Sequence, residues 1–303
     1  TPGPGDWRGV FVLGLAPPSG QAPFNDDPDL PWGGANASDS SGAISFTRIE
    51  YSESGLTLSG VGNQTKVDFV QVRKSRDNCF FFNGGTADVK HLVCQSSGDD
   101  QFEWSTAAQG RAQFLFGQKP APPPVDGSHG LLIDNSNPRI FNATICGDSP
   151  TPLGYGLLFR DGATLDVNGA IFSGWFVGLD ATGNVPTPGA IRSSIAFGNA
   201  TNPAYAEDDA ETDPDSPLFN DDNGLDEIAL WNDAASANAE TDPKLVKCLD
   251  ATNPQPWPAA ALTTNAPAPP ADGFFDANAK YIGAFRDAND GWMKGAWVRF
   301  DAK

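Results

Sequence analysis

DFVQVRKSRDNCFFFNGGTADVKHLVCQSSGDDQFEW, residues 68–104, carries one pattern written twice. Val70-Gln71-Val72 returns 22 residues later as Leu92-Val93-Cys94. Asp77-Asn78 returns as Asp99-Asp100, and Phe80-Phe81-Phe82 as Phe102-Glu103-Trp104. Moving outward, Thr47-Arg48-Ile49 lies 23 residues before Val70, and Phe114-Leu115-Phe116 lies 22 after Leu92. Thr144-Ile145-Cys146, Ala170-Ile171-Phe172 and Ile195-Ala196-Phe197 continue the series at steps of 30, 26 and 25. The longest step holds a Pro-rich insertion, Pro120 to Pro124. Leu56-Thr57-Leu58 stands one unit before Phe80.

A unit of about 22 residues with two or three short strands cannot bury its own apolar side, so units must stack into a continuous core. This spacing predicts an all-β fold, a parallel β-helix solenoid. A leucine-rich repeat would need helical segments, and a propeller would need repeats of roughly 40 residues. Period-2 alternation then assigns faces. Val70, Val72, Leu92, Cys94, Phe114 and Phe116 are expected inside, with Gln71 and Gln113 outside. Phe80 is expected to stack on Phe102, and Phe82 on Trp104.

Three regions follow. Residues 1–200 form the β-helix with an N-terminal segment whose first strand-like run is Val10 to Leu15. Residues 201–272 break the period. They hold an acidic crowd (Glu207, Asp208, Asp209, Glu211, Asp213, Asp215, Asp221, Asp222), one expected helix over Leu225 to Ala237, and a Pro/Ala-rich stretch. Residues 273–303 are rich in aromatics and are expected to form a C-terminal cap packed on the solenoid, because an open end must be covered.

The 303 residues carry a formal charge of −19, which repels nucleic acid and anionic lipid. No apolar stretch is long enough to span a bilayer. Four cysteines without a CxxC pair disfavour a zinc ribbon and suggest two disulfides. Three pairings are possible, of which Cys79–Cys94 with Cys146–Cys248 is favoured. A single Met and a start at Thr1 suggest a processed chain.

The wording of the chain carries a resemblance as well. Gly5-Asp6-Trp7-Arg8-Gly9-Val10, followed by Leu13-Gly14, resembles the "GDWGGVVILGNAP" segment of a group of bacterial secreted proteins and lipoproteins. So do Asp39 to Gly62, Phe80 to Trp104, and the tail Asp272 to Trp297. The resemblance implies a right-handed β-helix, shaped like the pectate lyases, secreted or on the outer cell surface. The group implies no common activity. Its members usually have further coils before "GDW". They also show "DDxFEWFGG" where this chain has Asp77-Asn78-Cys79-Phe80-Phe81-Phe82-Asn83-Gly84-Gly85, which removes one acidic pair.

Several residues could carry chemistry. Asp77, Asn78, Asp99 and Asp100 are expected at one corner of adjacent coils, where oxygen ligands could hold calcium. Alternatively, they cap the turn's backbone. Asp287-Ala288-Asn289-Asp290-Gly291 is a second calcium candidate that lacks the full loop pattern. A glycosidase would need paired carboxyls, for which Asp99, Asp100 and Glu103 are available. Lys90 could serve as a lyase base, but a salt bridge to Asp68 one coil earlier explains it more simply. His91 and His129 are expected as unrelated surface histidines rather than a metal pair. Asn36, Asn63, Asn142 and Asn199 begin N-x-S/T sequons. Phe81 and Trp231, if exposed, could stack on sugar rings.

Three functions remain in competition. The first is a non-catalytic surface protein that binds a glycan or another protein, or that self-associates through an open N-terminal coil. The second is a carbohydrate-active lyase or hydrolase. The third is an extracellular metal-binding protein. The visible residues favour the first, since no catalytic constellation stands out.

Overall fold

The computed structural model describes residues 2–120, 128–148, 154–208, 210–213, 218–222 and 224–300. Most of the Pro-rich insertion, and Asp209 and Asp215 of the acidic crowd, lie outside them. The chain winds as a right-handed parallel β-helix. One seven-stranded sheet contains β1 (Val10–Leu13), β3 (Leu56–Ser59), β5 (Phe80–Asn83), β7 (Phe102–Ser105), β9 (Leu131–Asp134), β11 (Tyr155–Arg160) and β13 (Val177–Thr182). The eight-stranded sheet contains β2 (Ala43–Glu50), β4 (Lys66–Arg73), β6 (Val89–Gln95), β8 (Arg111–Lys119), β10 (Arg139–Gly147), β12 (Leu165–Ser173) and β14 (Gly189–Arg192). Its last member, β15 (Ile195–Phe197), also pairs with β12. Strands therefore alternate between the sheets along the chain. β1 and β2 form the N-terminal edge.

Stacking of like on like builds the interior. Leu56, Phe80, Phe102, Leu131, Leu157 and Leu179 form one column across the seven-stranded sheet. The Phe80 and Phe102 rings stack at 5.2 Å, and Phe82 stacks on Trp104 at 4.6 Å. All four are buried. Full burial of each such ring contributes roughly 2–3 kcal/mol. The Cys79–Cys94 disulfide lies in this core.

The eight-stranded sheet is bent. Phe46, Phe69, His91, Phe114, Asn142, Gly169 and Ser193 occupy one position on successive coils, and all have φ between 50° and 67°. A left-handed residue inside a strand turns the chain and lets two consecutive side chains face outward. Alternation fails at this corner, and two expectations change with it. Leu92 pairs with Leu115, not with Phe114. Leu115 enters the core, while Phe114 and Phe116 face outward and are buried beneath a later segment. The extra residue sits in the turn between β7 and β8, where Thr106 and Ala107 both have left-handed φ. Register slips of one residue exchange the two faces of a strand.

That later segment is the aromatic tail. It runs along the outer face of the eight-stranded sheet rather than over an open end. Phe285 meets Phe116 edge-on at 5.7 Å, and Phe275 lies 4.8 Å from Phe141. Gln113, facing outward as expected, bonds to the Asp276 backbone. The Cys146–Cys248 disulfide fastens the neighbouring hairpin of β16 (Leu245–Lys247) and β17 (Gln255–Pro258) to β10. The far end of the core is met instead by α1 (Glu227–Trp231). This helix is much shorter than the one expected over Leu225 to Ala237. Trp231, considered for sugar stacking if exposed, is instead 2% exposed and joins the main core.

Candidate functional site

The corner between the two sheets recurs on every coil, and on one side it opens into a groove. Asn63, Thr86, Asp88, Gln109, Asn137 and Thr164 line it, together with Arg111, Arg139, Asp166 and Arg192. Five steps of strand spacing give the groove a length of roughly 24 Å. A second hollow continues it past Lys66, Asp68 and Lys90 to Asp272 and Phe274.

Charges along the groove are interleaved. Arg111 pairs with Asp88 and, at 2.8 Å, with Asp272. Asp166 pairs with Arg139 and lies 3.8 Å from Arg192. The Phe274 ring sits under the Lys90 ammonium at 4.8 Å and the Arg111 guanidinium at 4.6 Å. Burial lowers the Lys90 pKa, opposed by Asp276, Asp68 and Asp272. Five basic groups (Lys66, Lys90, Arg111, Arg139, Arg192) meet four acidic ones here, in a chain of net charge −19. The groove is thus close to neutral on an otherwise negative surface, and its uncharged amides and hydroxyls repeat coil by coil. Sequence reasoning centred on acids passed over these arginines. Arg111 and Arg139 open β8 and β10, and Arg192 closes β14, so no single repeat position marks all three.

The acidic corner is assembled much as its spacing suggests. Asn78, Asp100, His129 and Tyr155 form a column in which each of the first three side chains takes the next coil's backbone N–H. Asp100 N donates to Asn78 Oδ1 at 2.9 Å, and His129 N to Asp100 Oδ1 at 2.7 Å. Tyr155 N donates to His129 Nδ1 at 3.4 Å. These groups therefore satisfy backbone donors at a turn. Beside them, Ser54 donates to Asp77 at 3.0 Å, Lys119 donates to the Asp99 carbonyl, and Asn78 donates to Glu103.

Burial dominates the titration of this corner. It raises Asp99, with the Asp77 carboxylate adding to the effect. It raises Asp100 well above the usual range, with Asp99 and Glu103 reinforcing it. It raises Glu103 against the hydrogen bonds from Ser105 and Asn78. The same burial pushes Lys119 down to about 8 against the pull of Asp100 and Asp99. His129, expected at the surface, is 5% exposed, and burial pushes it down to about 3. It is a neutral acceptor at the Tyr155 N–H.

The remaining candidates separate. His91 lies in the eight-stranded sheet, stacked between Phe69 at 4.2 Å and Phe114 at 4.9 Å, with Nδ1 2.8 Å from Asp68. It makes the contact with Asp68 that was expected of Lys90. His129 belongs to the other sheet's side, stacked on Tyr155 at 5.2 Å. In the 287–291 loop, Asp287 accepts the Asn289 N–H and an Arg286 bond, and Asp290 accepts from Arg286 N. Asn142 is fully buried and donates to the Tyr281 and Ala279 carbonyls, and Asn199 is 8% exposed, so neither can carry a glycan. Phe81 is half-buried on the outer face beside Glu103.

The sequence model of a family described as a pectate-lyase like beta helix domain matches residues 1–234. No curated protein and no solved structure matches the chain. No helix among the described residues is long and apolar enough to cross a membrane.

Proposed function

We propose, from the premise that the chain belongs to the pectate-lyase-like β-helix family, that it is a secreted or surface-held protein which binds a carbohydrate chain in the inter-sheet groove without cleaving it. The observation that carries this reading is the repetition of Asn63, Thr86, Gln109, Asn137 and Thr164 along a near-neutral groove. A polymer of like sugar units meets like donors and acceptors on successive coils. Solenoids use such elongated surfaces for binding. Phe274 supplies an apolar face at one end. The two disulfides fit an oxidising compartment.

The test is a panel of neutral and acidic polysaccharides, scored for retention of the protein and for new reducing or unsaturated ends. Retention without new ends is expected. Arg139→Glu with Arg192→Glu should abolish retention of an acidic polysaccharide while leaving the circular dichroism spectrum unchanged. Retention unaffected by the double substitution would remove the groove from the proposal.

One observation supports the enzymatic alternative. Asp100 and Glu103 hold their protons above the usual carboxylate range beside a lysine lowered towards neutrality. Perturbed groups of this kind gather at catalytic sites. New chain ends that disappear in Glu103→Gln would establish that reading and displace the first.

A further inference from the structure

The acidic insertion crosses the last coil where three carboxyl groups meet. Asp180 in β13, Glu207 in the insertion and Glu227 at the start of α1 each bring one oxygen within 4.8 Å of the others. Calcium takes oxygens at roughly 2.3–2.6 Å in a flexible geometry, so three carboxyl oxygens within 4.8 Å of one another are close enough to share one ion.

A second observation points to a ligand. Asp180 is 9% exposed, and among the described residues no donor bonds to its carboxyl. The charges acting on it (Asp221, Glu207 and Asp222) are all negative. Glu227, 2% exposed, accepts the Ala181 N–H at 3.1 Å, which aims its carboxyl at the same strand. Asp222, also 2% exposed, binds the Gly224 and Leu225 N–H groups through Oδ1, and its Oδ2 is unmatched among the described residues. A buried carboxyl such as that of Asp180, met by no donor among the described residues and set among other acids, is costly unless a proton or a cation intervenes.

We propose that Asp180, Glu207 and Glu227 bind one divalent cation of the calcium type, which holds the acidic insertion against the final coil. No sequence motif announces this site, since its ligands come from a strand, a loop and a helix. The cation sits next to the element that seals the core. Trp231 closes that end from α1, one turn beyond Glu227. The site is separate from the Asp77–Asp100 corner and from the groove, so its failure leaves the carbohydrate proposal standing.

The test uses the full chain, stripped with EDTA and titrated with Ca²⁺ or Tb³⁺ alone. Tyr155 lies in the field of Asp180 and Glu207, and Tyr205 lines one hollow with Glu207 and Glu227, so excitation of tyrosine should sensitise bound Tb³⁺. Wild type should show a Ca²⁺-dependent rise in Tm, and Ca²⁺ should quench the Tb³⁺ signal by competition. Asp180→Asn should lose both responses while raising the Tm in EDTA, because it removes a buried repulsion. A merely damaging change would lower that Tm. Glu207→Gln, on the half-exposed insertion, should lose the responses even if Asp180→Asn does not fold. Absence of any Ca²⁺ effect in wild type would overturn the proposal. So would responses that survive both variants, or that vanish in Asp77→Asn instead.

Discussion

Gln71 holds the backbone of Arg299 from both sides: its Nε2 donates to the Arg299 carbonyl at 2.8 Å, and its Oε1 accepts the Arg299 N–H at 2.7 Å. One side-chain amide thus does what an edge strand would do, 228 residues away in sequence. Gln71 is fully buried beneath the tail, so removing the amide leaves two backbone groups without partners. Gln71→Leu is expected to cost about 2–3 kcal/mol. Limited proteolysis should cut the variant first within the tail, before the coils. Cleavage that begins in the coils would contradict this placement.

The Cys146–Cys248 disulfide closes a loop of sequence separation 102. A loop of that length corresponds to about 4–5 kcal/mol of stabilisation in the chain-entropy description. Cys248→Ser with Cys146→Ser should lower the denaturant midpoint and leave the far-ultraviolet spectrum of the folded state unchanged, because β10 keeps both neighbouring strands. Hydrogen exchange should rise around residues 245–258 more than in β10.

His129 makes stability depend on pH in a definite direction. Its folded pKa lies near 3, below the usual histidine value near 6.5. Between these values the unfolded chain binds a proton that the folded chain does not. Its contribution is intact above pH 6.5 and is lost as the pH falls, by about 1.4 kcal/mol per unit through the window. Asp100 and Glu103, raised in the folded state, act oppositely and favour folding at acid pH. Chemical denaturation from pH 7 to pH 4 should therefore give a shallower decline in His129→Gln than in wild type. Parallel profiles would contradict the buried neutral state.

Phe102 and Phe46 provide a contrast within one repeated architecture. Phe102 is fully buried between Phe80 and Leu131, whereas Phe46 is 63% exposed at the edge strand. Phe102→Ala is expected to cost about 3–5 kcal/mol, and Phe46→Ala roughly 0.5 kcal/mol or less. Urea midpoints measure both.

Periodic features of this protein were legible in its sequence. The stacking of Phe80 on Phe102 and of Phe82 on Trp104, and the recurrence of coils, depend on local pattern repeated at near-constant spacing. Nearest-neighbour packing carries such a pattern directly into structure. Asn78 and Asp100 likewise fell at one corner because they occupy the same place in successive coils.

What escaped that reading depends on where the chain goes between or beyond the repeats. One added residue between β7 and β8, with the left-handed corner at Phe114, exchanged the roles of Leu115 and its two phenylalanine neighbours. Nothing in the repeat marks that corner, since Phe69, His91 and Asn142 share no chemistry that requires it. The tail's course over the outer face was equally hidden: Phe114 and Phe116 are apolar whether they enter the core or lie beneath Tyr281 and Phe285. The meeting of Asp180, Glu207 and Glu227, from three elements without a common spacing, follows only from the fold of the insertion. Local sequence thus determined the coil and its stacking. Tertiary structure decided which outer surfaces are covered and which distant side chains meet, because those contacts depend on the summed geometry of the turns.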